Sequence, residues 1–241
     1  MFDVSSILSV MPDRKAPRIC FVCAGNICRS PMAEFVAVNV ALDHGMSAQI
    51  SSAGTGSWHI GQDADPRAHE ALSRKGYSSH RHSASKFEPN KSRDLDLIVA
   101  LDNENYDFLR RLSSKRSWKA ELVMLRYFDP MLSGLHWEPS HEFDVPDPYL
   151  GDSSSFDESL AMIERSIISL FEKLASRLSQ LIISATLLIG HYPKPESTEM
   201  DQLEPFGVTL SRFFGTDLGL TEGLWLKSGF RVPNMTYSLC D

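Results

Sequence analysis

The sequence has few cysteines, a deficit of basic residues and no long apolar segment. Only four of its 241 residues are cysteine, and three of them are clustered at Cys20, Cys23 and Cys28, unlike the disulfide framework of a small secreted domain, so we expect a reducing, cytoplasmic location. Lysine and arginine number 24 against 31 acidic residues, which argues against a broad basic surface that binds nucleic acid. The longest apolar run, 181–190, is shorter than the ~20 residues that cross a bilayer, so no membrane partner is expected.

The chain is nevertheless long enough to bury a core, with 42% hydrophobic residues. We expect a flexible leader at 1–16, a main domain at 17–180 and an extension at 181–241. The extension is interrupted by proline and glycine, so it is predicted to be loosely packed or disordered. Its apolar segments, 181–190 and 206–215, argue against disorder, because such segments often form a packing or partner surface. The last predicted helix is therefore expected to continue for a few turns past Ser179.

Segments with the patterns of strands and helices alternate along the main domain. Predicted strands cover 18–22, 48–54, 95–101 and 121–128, and predicted helices cover 31–45, 65–76, 103–115 and 155–179. Ser30 is predicted to cap the first helix and Gly45 to end it. The alternation predicts an α/β fold in three layers: a four-stranded parallel sheet with helices on both faces and a ligand site at the carboxyl ends of the strands.

The first predicted strand is followed by the segment CAGNICRSP, residues 23–31. A tight turn between a strand and a helix amino terminus directs backbone N–H groups inward, which suits a tetrahedral anion such as phosphate. Gly25 relieves steric limits, and Asn26 tolerates left-handed backbone. Arg29 offers a planar pair of donors that matches two phosphate oxygens. The segment therefore predicts a phosphate-binding loop.

Cys23 opens this loop, where the N–H groups, the helix dipole and Arg29 would favour its thiolate form. A thiolate beneath a bound phosphate is a nucleophile, and Ser30 could donate a hydrogen bond to the sulfur as it leaves a phosphocysteine intermediate. Cys23 and Cys28 could instead form half of a zinc site, but zinc requires about four ligands and the flanking sequence supplies no second pair. We therefore expect no metal and no cofactor.

The loop, placed between a strand and a helix, resembles that of the low molecular weight protein tyrosine phosphatases. The resemblance extends to 51–72, 98–105 and 144–149 and covers about residues 17–179. It implies hydrolysis of phosphotyrosine in proteins and of small aryl phosphates. It also implies three catalytic residues: Cys23 as nucleophile, Arg29 as phosphate clamp and Asp147 as general acid and base.

The same resemblance implies the residues that surround these three. Ser30 is the thiolate partner, Ser52 helps to hold Asn26, and the aromatic side chains of Trp58 and Tyr149 stack on the phosphotyrosine ring. The loop itself consists of Ala24, Gly25, Asn26, Ile27 and Cys28. Two positions depart from the family pattern: Leu150 replaces a second tyrosine, and Lys75 replaces a histidine that supports the loop.

Several interpretations stay open from the sequence. Asp144 is an alternative general acid. Asp144 and Asp147 could each instead have a purely structural role in a turn. Trp58 and Tyr149 could belong to the core. The segment 136–143 is expected to be an exposed loop despite its histidines and glutamates. Cys23 and Cys28 are expected to form a reversible disulfide on oxidation, because they lie at opposite ends of one short loop.

Other functions on the same fold are also considered. An arsenate reductase would need further cysteines to relay a disulfide, and none lies between Cys28 and Cys240. A phosphoarginine phosphatase resembles this chain but has threonine at the position of Ile27. A non-catalytic phosphate-binding or docking module is the alternative from another class. The expected partner is a phosphotyrosine-containing protein, and the expected state is a monomer.

Overall fold

The computed structural model describes residues 16–90, 94–114, 118–136 and 138–190, with side chains in the last helix up to residue 176. The predicted leader and the segment 206–215 lie outside the described residues. The chain divides into two compact units, of which the first contains Ala16–Ile183. Of the second unit, the structure describes only residues 184–190, so the predicted domain boundaries stay predictions.

The described residues contain four strands and four longer helices in alternation. The strands are β1 (Arg18–Cys23), β2 (Gln49–Gly54), β3 (Leu97–Ala100) and β4 (Glu121–Met124). The helices are α1 (Arg29–Asp43), α2 (Pro66–Arg74), α3 (Asn103–Ser113) and α4 (Ser153–Gly190). Short 3₁₀ turns cover Leu125–Phe128, Pro130–Leu132 and His141–Phe143.

All strand pairs are parallel, in the spatial order β2-β1-β3-β4. β1 is central and almost completely buried, which explains why its sequence is a continuous apolar run without alternation. Its last residue, Cys23, pairs with Gly54 at the carboxyl end of the sheet. The predicted four-stranded parallel sheet is confirmed.

Successive side chains of the strands enter two separate cores. Phe21 and Val99 belong to a cluster with α1, α2 and α4, whereas Val22 and Ile98 belong to a cluster with α3. The α4 side chains in the first cluster recur every three to four residues, from Phe156 to Leu174. The three layers and the helices on both faces are thus confirmed.

The residues at the helix ends explain where the helices begin and end. Asp65 and Asp102 cap α2 and α3, because their carboxylates accept hydrogen bonds from the backbone N–H groups of Arg67 (2.9 Å) and Asn105 (2.7 Å). Gly45, at φ 61°, follows the end of α1 as predicted. Ser30, however, does not cap α1, since the helix already begins at Arg29 and the N-cap residue is Cys28.

Two elements differ most in length from their predictions. β4 ends at Met124, where the prediction continued to 128, because residues Leu125–Phe128 form a 3₁₀ turn that leads to Asp129, whose carboxylate is buried. That carboxylate accepts hydrogen bonds from Arg126 Nε (3.1 Å), Arg165 Nε (2.7 Å) and the N–H of Met131 (3.0 Å). α4 continues past residue 179 to Gly190, in line with the expected extra turns.

Two surface features complete the description. The segment 136–143 is mostly exposed where it is described, as predicted, although Phe143 is buried. Among the described residues, no helix combines the length and the apolar character that crossing a bilayer requires.

Candidate active site

The site lies at the carboxyl end of the sheet, where the loop 24–28 joins β1 to α1. Asn26 adopts the left-handed conformation at φ 57° and is fully buried. Its amide Nδ2 donates to Ser30 Oγ (2.9 Å) and Ser52 Oγ (2.8 Å), and its Oδ1 accepts from the N–H of Ser85 (2.8 Å). Asn26 therefore fixes the unusual backbone of the loop from inside.

Two residues that the sequence analysis did not single out extend this network. Ser52 Oγ donates to Glu34 Oε2 at 2.5 Å, and the Nε2 of His82 lies 2.9 Å from the carbonyl oxygen of Asn26. Glu34 is far from Ser52 in sequence, and His82 is far from Asn26, so no local pattern marks either contact. The one sign in the sequence that a further residue belongs to the network was Glu34, a polar residue on the inner face of α1.

The sulfur of Cys23 lies at the base of the loop and is almost fully buried. It is 3.0 Å from Ser30 Oγ and accepts a hydrogen bond from the N–H of Asn26 at 3.3 Å. Because Ser30 Oγ already accepts from Asn26, its own proton is available for Cys23 Sγ or for the carbonyl oxygen of Ala53 (3.3 Å). The surroundings of the sulfur are thus hydrogen-bond donors, which suit a thiolate.

Arg29 is buried at the start of α1, opposite the loop. Its Nη1 donates to Asp102 Oδ2 (2.5 Å) and to the carbonyl oxygen of Val145 (3.1 Å), and its Nη2 donates to Asp147 Oδ2 (2.7 Å). Burial opposes its charge, but Cys23, Asp102 and Asp147 outweigh that effect and raise the pKa of the guanidinium. Its Nε is buried without a hydrogen-bond partner among the described residues, so this donor is available to an anion.

The two candidate general acids differ in their surroundings. Asp147 is half exposed, contacts Arg29 and accepts a hydrogen bond from the N–H of Tyr149 (3.2 Å). Asp144 instead accepts from the N–H of Asn103 (2.6 Å) and pairs with His141 (2.7 Å), and this contact raises the pKa of His141. The geometry thus places the carboxylate of Asp147, and not that of Asp144, beside Arg29.

A cavity of about 190 Å³ opens over Cys23, and we call it the Cys23 cavity. Trp58 and Tyr149 lie at its rim with 71% and 45% of their surface exposed, so neither belongs to the core. His59, which the sequence analysis did not identify, also lines it. The complete lining consists of Cys23, Ala24, Gly25, Ile27, Cys28, Arg29, Trp58, His59, Asp147 and Tyr149.

The structure also places the remaining residues that the sequence analysis named. Cys28 is a free thiol, as is Cys23, and burial followed by the nearby charge of Asp65 raises the pKa of Cys28 above its ordinary range. Their disulfide under oxidation stays a prediction. Lys75 contacts Glu164 at 3.0 Å on the surface, and Leu150 is exposed.

A family model described as low molecular weight phosphotyrosine protein phosphatase matches residues 18–180. The chain belongs to this family. A low molecular weight protein-tyrosine-phosphatase of Streptomyces coelicolor is 44% identical over 149 residues, which cover 61% of this chain and 87% of that protein. The low molecular weight protein-tyrosine phosphatase A of Mycobacterium tuberculosis is 40% identical over 164 residues, or 67% of this chain and 94% of that protein.

Solved structures of the family show the same fold. The crystal structure of a protein tyrosine phosphatase from Entamoeba histolytica has a TM-score of 0.59 and 30% identity, covering 67% of this chain and 98% of that one. The matched part of this chain therefore corresponds to nearly complete family members, and the residues beyond 180 are additional to it.

Proposed function

We propose that the protein hydrolyses phosphotyrosine in proteins, and small aryl phosphates, through a phosphocysteine intermediate. The observation that carries the proposal is the meeting of three groups at the Cys23 cavity: the Cys23 sulfur, the Arg29 guanidinium and the Asp147 carboxyl group. A nucleophile, an anion clamp and a proton donor are the parts that this reaction needs.

In the first step, the loop N–H groups and Arg29 bind the phosphate oxygens. A phosphate oxygen takes the place of Asp147 on Nη2, which frees that carboxyl group to carry a proton. The Cys23 thiolate attacks phosphorus, the P–O bond to the tyrosyl oxygen breaks, and Asp147 donates its proton to that oxygen. The products are tyrosine and phosphocysteine.

In the second step, Asp147, now a carboxylate, accepts a proton from water as the water oxygen attacks phosphorus. The P–S bond breaks, inorganic phosphate is released and Cys23 returns as a thiolate. Ser30, 3.0 Å from this sulfur, stabilises the charge that the leaving thiolate regains. The cycle is complete without a cofactor or a metal.

The rim of the cavity supports an aryl substrate. Trp58 and Tyr149 offer exposed aromatic faces, and Ile27 adds an apolar surface to the lining. A phosphoarginine would bring a cationic guanidinium group against Ile27, which cannot accept its hydrogen bonds. We therefore propose phosphotyrosine as the preferred substrate.

The setting of the reaction follows from the same chain. We propose that the protein acts as a monomer. The three cysteines among the described residues are free thiols, which supports a cytoplasmic site of action. The physiological substrate is proposed to be a phosphotyrosine-containing protein.

The test is hydrolysis of aryl phosphates in the presence of EDTA. The wild-type protein should turn over, Cys23→Ser should not, and Asp147→Asn should lose about 10²–10⁴ in kcat/KM for phenyl phosphate and less for substrates with better leaving groups. Asp144→Asn is the matched control and should not show this dependence. Turnover by Cys23→Ser, or a leaving-group effect that follows Asp144, would refute the proposed roles.

Specificity and catalysis are separated by a second comparison. Phosphotyrosine should be hydrolysed faster than phosphoarginine under the same conditions. A docking module would bind phosphate without turnover of either compound, and a preference for phosphoarginine would overturn the proposed substrate.

A further inference from the structure

We propose that Arg67 is a positioning residue that couples the phosphate-binding loop to the segment carrying Asp147. This inference rests on the proposed function, because it assigns Arg67 a part in the delivery of the Asp147 proton. Arg67 lies near the start of α2 and does not line the Cys23 cavity.

The guanidinium group of Arg67 bridges two segments. On one side it holds Asp65 in a two-pronged pair, from Nε to Oδ1 (3.0 Å) and from Nη2 to Oδ2 (2.7 Å). On the other side, Nη1 donates to the carbonyl oxygen of Gly151 (2.7 Å) and Nη2 to that of Tyr149 (3.1 Å). Both carbonyl groups follow Asp147 by two to four residues.

The bridge continues to the phosphate-binding loop. The backbone N–H of Asp65 donates to the carbonyl oxygen of Ile27 at 2.7 Å. Since Ile27 belongs to the loop, a continuous path runs from the loop through Asp65 and Arg67 to the backbone that follows Asp147. The guanidinium carbon also lies 4.5 Å from the ring centre of Phe156 at the start of α4, which fixes its plane.

The remaining contacts of the Asp147 segment show why such a bridge matters. The side chain of Asp147 is held by Arg29 and by the N–H of Tyr149 (3.2 Å), and in the proposed reaction a phosphate oxygen replaces the contact with Arg29. Ser159 Oγ donates to the carbonyl oxygen of Pro146 (2.9 Å), which holds the segment before Asp147. Arg67 holds the segment after it. Once substrate is bound, the position of the acid therefore depends on these backbone contacts.

A lysine could not replace Arg67 in this arrangement. Four hydrogen bonds leave the planar group in fixed directions toward Asp65, Tyr149 and Gly151, and a single ammonium group cannot match them. Loss of the bridge should allow the acid to be misplaced by a fraction of an ångström to about 1 Å, a change that can cost up to about 100-fold in rate.

The experiment measures kcat/KM for a series of aryl phosphates with leaving groups of different acidity. For Arg67→Gln, phenyl phosphate should lose about 10-fold or more, whereas 2,4-dinitrophenyl phosphate, whose leaving group needs no proton, should change by less than about 3-fold. Arg67→Lys should show the same pattern. Arg74→Gln is the matched control, because Arg74 lies on the same helix and also contacts α4, through Asp157 (2.7 Å), but not the Asp147 segment.

Further variants separate positioning from stability and from the proposed function. In an Asp147→Asn background, Arg67→Gln should cause no additional loss for phenyl phosphate. Equal losses for all leaving groups, a pattern shared with Arg74→Gln, or an additive loss in the double variant would overturn the role of Arg67. If Arg67→Gln does not fold, the same comparison is made with Arg67→Lys. If Cys23→Ser retained turnover, the proposed function itself would fail, whatever the result for Arg67.

Discussion

Replacement of Ser30 by alanine should slow the breakdown of phosphocysteine. Ser30 Oγ lies 3.0 Å from Cys23 Sγ, and because it accepts from Asn26 Nδ2, its own proton is available to the sulfur; a charged sulfur is a stronger acceptor than the alternative, the carbonyl oxygen of Ala53 (3.3 Å). A hydrogen bond to a charged group contributes about 1.5–3 kcal/mol. If the bond is at full strength only as the thiolate leaves, its loss corresponds to roughly 10- to 150-fold in the rate of dephosphorylation.

Rapid mixing with p-nitrophenyl phosphate provides the assay. Ser30→Ala should release about one equivalent of nitrophenol per enzyme in a burst, followed by a slow steady state whose kcat is independent of the leaving group. Ser166→Ala is the control, since Ser166 is equally buried and donates to the carbonyl oxygen of Met162 (2.7 Å) within α4. A wild-type kcat in Ser30→Ala, or a comparable loss in Ser166→Ala, would refute the reasoning.

Two further predictions concern buried groups. Burial opposes the charge of Asp129, but its bonds to Arg165 and Arg126 prevail and lower its pKa, so its contribution to stability is present above the unfolded pKa of about 3.9 and is lost as pH falls through the folded pKa. Asp129→Asn should therefore destabilise the protein by about 2–3 kcal/mol at pH 7 and by less near pH 3, as measured by urea unfolding; a pH-independent difference would contradict this account. Gly54→Ala would place a Cβ 2.8 Å from the carbonyl oxygen of Ala24, so kcat/KM should fall by about 100-fold and vanadate should bind more weakly; unchanged kinetics would show that the loop can yield.

The sequence predicted most of the fold because its elements carry local signals. The apolar run of β1, the capping residue Asp65 and the terminating Gly45 are each readable within a few residues. The predicted end of β4 was wrong, because residues Leu125–Phe128 form a 3₁₀ turn that leads to Asp129, whose partner Arg165 lies 36 residues away.

The same distinction applies to the site. The segment 23–31 is continuous in sequence, so a phosphate-binding loop could be predicted from it. Its partners come from other elements: Asp102 lies 73 residues from Arg29, and His82 lies 56 residues from Asn26. The first pair forms because parallel strands bring their carboxyl ends to one edge of the sheet, and the second forms because the segment before β3 pairs with Gly54 through Lys86. Ser30 resembled a helix cap because a hydroxyl group suits either role, and only the three-dimensional arrangement shows which partner it takes.

The contact between Arg29 and Asp147 has a consequence for the release of product. Inorganic phosphate bound to Arg29 must compete with a carboxylate that belongs to the protein and therefore is present at high effective concentration. Asp147 thus acts as an internal competitor, and product affinity is reduced by the free energy of that ion pair. Because Asp147 regains a proton from water in the second step of the proposed cycle, it can displace phosphate from Arg29 only after that proton has left, so proton release and product release are coupled.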